Sequence, residues 1–141
     1  MRTHSLTLML CLLVSLSLFN GCGGKKYADA EEVLEEYTSI MNEFISELDK
    51  AGNAKDVAKA INNYADGMER LMPDMKKMEE KYPELSDSDN PPEELMELQK
   101  KTQASAQKFV GSMMKIAPYM NDPEVQKAQE RMDAIMRNFG E

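Results

Sequence analysis

Eight residues, Val57, Ile61, Tyr64, Met68, Leu71, Met75, Met78 and Tyr82, keep an unbroken 4-3 alternation of apolar positions. That rhythm belongs to an α-helix with one buried stripe and excludes a strand, whose period is 2. Three other stretches carry the same signal. Leu34, Tyr37, Met41, Phe44, Leu48 and Ala51 form the first, widened by Val33, Ile40 and Ile45. Leu95, Leu98, Thr102, Ser105, Phe109, Ser112 and Ile116 form the third, with small polar residues at its middle, and Val125, Ala128, Met132, Ile135 and Phe139 the fourth. The spacing is that of helices crossing at a shallow angle, as in a coiled coil. The chain is therefore expected to be all-α.

Chemistry that satisfies the free N–H groups of a first turn marks the boundaries. Asn53 with Asp56 three residues on can cap the second helix. Asn90 before Pro91, Pro92 and Glu93 predicts a cap followed by a proline at the first helical position, and Asp122-Pro123-Glu124 predicts the same for the fourth helix. Residues 83–90 are a polar, proline-bounded loop, and the other connections, around Gly52 and around Pro118 to Asn121, are short. Short connections make successive helices antiparallel, so an up-down-up-down four-helix bundle is expected. Pro73 falls inside the second stripe without changing its phase, which predicts a kink and no break. Counting outward from the turns places Met68 near Tyr37, Ser105 and Met136, with small Ser105 and Ala106 making room for Met68 and Met72.

Ahead of the helices, Arg2 precedes an apolar run over residues 6–19, which ends in Phe19-Asn20-Gly21-Cys22 and is followed by Gly23-Gly24-Lys25-Lys26. This order of charge, apolar core, small residue and cysteine resembles the signal segment of bacterial lipoproteins. Phe19 and Asn20 stand where Leu and a small residue are commoner in that pattern. At 14 residues the run is short of the ~20 that a spanning helix needs. The resemblance implies a signal peptide over residues 1–21, acylation (palmitate among the chains) at Cys22, a short linker over residues 22–28 and a bundle over residues 29–141. Cys11 is discarded in that reading and Cys22 is acylated, so no disulfide framework remains.

Removal of residues 1–21 takes away one of 17 basic residues and none of 25 acidic ones, so the net charge moves from -8 to -9. Such acidity argues against nucleic acid, whose phosphates need a basic patch. It argues also against anionic lipid, apart from Lys25 and Lys26 beside the anchor. The one histidine, His4, belongs to the segment ahead of Cys22, which leaves no imidazole for general-base or nucleophilic chemistry after it. Acidic pairs such as Glu31-Glu32 and Glu93-Glu94 sit where helix starts and solubility explain them. No catalytic residue, and no cofactor, is assigned.

Eleven of the 13 methionines follow Cys22, four of them as Met68, Met72, Met75 and Met78 along one helix. Core packing accounts for those on the stripe, since an unbranched thioether fills irregular gaps. Thioethers are also soft ligands for Cu(I), and methionine ligates haem iron in some cytochromes, which makes Met41, Met68, Met72 and Met136 the alternative metal-binding set. The run Leu48-Asp49-Lys50-Ala51-Gly52-Asn53-Ala54-Lys55-Asp56-Val57 and the long loop after the second helix resemble the small periplasmic four-helix b-type cytochromes. That resemblance implies a bundle with haem held by a methionine early in the first helix and a histidine late in the fourth. Met41 is the nearest counterpart of the former, and no histidine occurs in the fourth.

The sequence thus predicts a non-enzymatic, lipid-anchored envelope protein whose helical domain binds or braces another protein. Gly23 after the cysteine, where a retention signal would have Asp, points to the periplasmic face of the outer membrane, or to the plasma-membrane surface in an organism with a single membrane. The alternative is a Cu(I) or haem carrier using the four methionines.

Overall fold

The stripes become four helices in the computed structural model, which describes residues 26–86 and 91–139. These are α1 (Ala28–Lys50), α2 (Ala54–Lys81), α3 (Met96–Met113) and α4 (Pro123–Phe139). Short 3-10 segments at Pro83–Ser86, Glu93–Leu95 and Met114–Tyr119 join them, and no strand occurs among the described residues. The fold is an all-α, up-down-up-down four-helix bundle. Every stripe residue whose side chain is described is buried or half-buried. Pro73 lies within α2, which continues through it to Lys81.

Two of the expected helix starts are seen directly. Asn53 is extended, and its Oδ1 accepts from the Asp56 N–H at 3.0 Å while its Nδ2 donates to Asp56 Oδ2 at 2.8 Å. Asp122 Oδ1 accepts from the Glu124 N–H at 2.9 Å, with Pro123 as the first residue of α4. The third start differs. Pro92 is extended and precedes a 3-10 turn over Glu93–Leu95, and the α-helix begins only at Met96, so Pro91 is not the first helical residue. Asn90 lies outside the described residues.

α1 and α2 form the central antiparallel pair, α3 lies along α1 and α4 along α2. The two outer helices run parallel to the ones they flank. Thr38, Asn42 and Asp49 of α1 meet Thr102, Ser105 and Lys115 in ascending order. In the groove between α2 and α4, Ala58 and Asn62 lie with Lys127 and Ala128, and Arg131 pairs further along with Asp66 and Glu69. Three rings from three helices close the centre: Phe44, Tyr64 and Phe109 stand 5.0 to 5.1 Å apart, centroid to centroid. Tilted aromatic contacts of this kind add to the burial of each ring.

Of the layer expected around Met68, Tyr37 and Ala106 belong to the same main core, Ser105 is buried with its Oγ donating to Asn42 Oδ1 at 2.9 Å, and Met136 is 43% exposed.

Candidate functional site

A second, smaller core closes the end of the bundle where the described chain begins. Tyr27, Ala30, Tyr82 and Leu95 are buried there, with Leu34, Met78 and Leu85 packed against them. The Tyr27 and Tyr82 rings meet at a tilt, their centroids 5.1 Å apart. Polar groups lock the same contact: Tyr82 Oη lies 2.8 Å from the Lys26 carbonyl and 2.5 Å from Asp29 Oδ1, and Tyr27 Oη donates to Glu84 Oε1 at 3.1 Å. Lys81 Nζ reaches Asp29 Oδ2 at 2.5 Å, and Lys26 Nζ reaches Glu84 at 3.2 Å. The Lys81 ammonium and the Tyr82 hydroxyl hold the Asp29 carboxyl down at about 2, and Asp29 with Tyr82 raises Lys81 to about 12. Lys26 and Tyr27 are therefore held against the end of α2 and the turn after it. Cys22 and the signal-like segment before it lie outside the described residues.

A cleft of about 270 Å³ opens between α1 and α2, lined by Ile40, Glu43, Glu47, Tyr64, Gly67 and Arg70 among others. Asn63 Nδ2 donates to Glu47 Oε1 at 2.7 Å, while Glu47 Oε2 is buried without a partner among the described residues. Burial, with Tyr37 beside it, pushes the Tyr64 hydroxyl up to about 12. The cleft holds carboxylates, a guanidinium and an uncharged phenol.

The four methionines of the alternative metal set are dispersed in exposure. Met41 and Met68 are buried in the main core, Met72 is half-buried and Met136 is largely exposed. None of the four lines the cleft. Haem does not fit these residues: α4 has no histidine, and Met41, in the core cluster with Ile40 and Phe44, is 1% exposed. Among the described residues no helix is long and apolar enough to cross a membrane. Sequence reasoning missed the Tyr27–Tyr82–Asp29 lock, because Tyr27 precedes the first stripe and its burial depends on a residue 55 positions away. Comparison with protein-family models, with curated proteins and with solved structures finds no match to this chain.

Proposed function

We propose that this chain is a lipid-anchored envelope protein, acylated at Cys22, whose helical bundle is a binding or bracing module and not an enzyme. The observation that carries the reading is the place where the chain enters the fold. Lys26 and Tyr27 are bound to Tyr82 and Glu84, and Lys26 stands only four positions after Cys22. At ~3.3–3.6 Å per residue the anchor is then within roughly 14 Å of one end of the bundle. A lock at this point has an evident use in a tethered protein, since it transmits the position of the anchor to the whole domain. Location follows the anchor: the periplasmic face of the outer membrane, or the outer surface of the plasma membrane where there is no second membrane. The absence of any histidine after His4 supports the non-enzymatic reading.

Metabolic labelling with a fatty acid in cells producing the wild type or Cys22→Ala tests the anchor. Label should enter the wild type and vanish from the variant. Equal labelling of the two sinks the reading. The Cu(I) alternative is tested by titrating the purified protein with Cu(I) against a competing chelator. Loss of binding in Met68→Leu at unchanged stability is the result that would favour it, because Leu conserves the volume of Met.

A further inference from the structure

The groove between α2 and α4 reverses the charge of the chain as a whole. It is a cleft of about 530 Å³ in which Lys55 and Lys59 line one wall and Lys127 and Arg131 the other. The buried Ala58 and Ala128 lie between them, and Glu124 is the one carboxylate in the lining. The cleft between α1 and α2, by contrast, sets Glu43, Glu47 and Asp66 against the single cation Arg70. Helical spacing explains the convergence. Each wall holds two cations at i and i+4, which share one face of a helix with ~6 Å between their Cβ atoms.

Stability does not account for this arrangement. Like charges at i and i+4 destabilise a helix, and both walls have them. Lys55 is moreover the second residue of α2, where the helix dipole disfavours a cation. Arg131 is compensated by Asp66 at 2.5 Å and Glu69 at 3.0 Å. Lys55, Lys59 and Lys127 have no ion-pair partner among the described residues. Asp56, three positions before Lys59, is taken up by Asn53 Nδ2 and the Gly52 N–H. Three uncompensated ammonium groups against one carboxylate leave the cleft two positive charges in excess.

From this convergence we propose that the cleft is a binding site for a small soluble molecule carrying two linked phosphate groups. An ammonium is a mobile point charge with three N–H donors, which suits phosphate oxygens without any demand for fork geometry. Lys55 and Lys59 hold one phosphate and Lys127 the other, while Arg131, fixed by its two carboxylates and with Asn62 beside it, closes the far end. The volume is in the range of ordinary small-molecule pockets. The wall from Lys55 to Asn62 runs ~10 Å along α2, the length of one such molecule and short for a segment of protein. The two alanines leave space between the walls, where a small anion enters and a flat membrane surface meets only the rims. The proposal is independent of the anchor at Cys22 and gives the binding module a ligand class.

The test titrates the purified full chain with pyrophosphate in metal-free buffer, followed by calorimetry and by the backbone amide resonances of Ala58 and Ala128. Orthophosphate and a hexaglutamate peptide are the comparison ligands. Pyrophosphate should bind at one site, shift both alanine resonances and exceed orthophosphate in affinity by about tenfold, each exposed charge contact being worth a few-fold. The combination Lys55→Gln, Lys59→Gln and Lys127→Gln should weaken it by about tenfold or more. Lys100→Gln, Lys101→Gln and Lys108→Gln together, which take the same charge from α3, should leave the affinity unchanged. Glu124→Gln should tighten binding a few-fold. All these side chains are exposed, so far-ultraviolet circular dichroism should be the same throughout. Equal weakening by the two triple variants marks attraction to overall charge and overturns the proposal, as does pyrophosphate binding no tighter than orthophosphate. Preference for hexaglutamate over pyrophosphate, lost in the first triple variant, overturns it too and assigns the groove to an acidic protein segment.

Discussion

At Gly67 the central helices approach until an added Cβ would lie 3.0 Å from Ile40 Cγ2 and 3.1 Å from its Cγ1. Two effects oppose each other there. Alanine is better than glycine inside a helix by ~0.8–1.0 kcal/mol, whereas forcing an extra carbon into a packed core costs typically ~1–3 kcal/mol. Since Ile40 is itself buried, overpacking should win, and Gly67→Ala should lose about 1 kcal/mol in urea unfolding. In an Ile40→Ala background, where the crowding atoms are gone, the same change should become stabilising by up to ~1 kcal/mol. A second residue-scale prediction concerns pH. The Asp29 carboxyl is held at about 2 against an ordinary 3.8, so its contribution to stability is fully present above pH 4 and is lost as pH falls toward 2. Asp29→Asn should remove that part of the acid dependence, and comparing unfolding midpoints of the two proteins between pH 5 and pH 2 measures it. The pair is exposed and screened, so the effect should shrink in high salt.

Among the elements, α2 depends most on its start, because the short link at Ala51–Asn53 must reverse the chain and begin a helix within three residues. Asn53→Ala removes an acceptor for the Asp56 N–H and a donor to its carboxylate. It should cost about 1 kcal/mol, seen as a lower urea midpoint at unchanged slope. This cap was legible in the sequence, as was the one at Asp122, since both rest on residues within three positions. The start of α3 was not. Its 3-10 turn arises from where Leu95 must go to be buried beside Tyr27 and Tyr82, a contact that no local pattern encodes.

Across the whole molecule, Phe109 ties α3 to Phe44 of α1 and Tyr64 of α2 at once. It is half-buried, so Phe109→Ala should cost less than the ~3–5 kcal/mol of a fully buried ring, about 2 kcal/mol. If the bundle is one cooperative unit, fluorescence and circular dichroism should still report a single coincident transition in this variant. Two separated transitions would instead show that α3 unfolds independently of the α1–α2 pair.

Helicity, the positions of the buried stripes, two of the caps and the continuity of α2 through Pro73 are written in the sequence, because each depends on neighbours within about a turn and on apolar periodicity. Tertiary structure alone decided which helices lie side by side, with α3 along α1 and α4 along α2, and which partners the polar residues of the stripes take, as Ser105 takes Asn42. Those outcomes hang on contacts between residues tens of positions apart, and a period of 3.6 says which side of a helix is buried without saying against what.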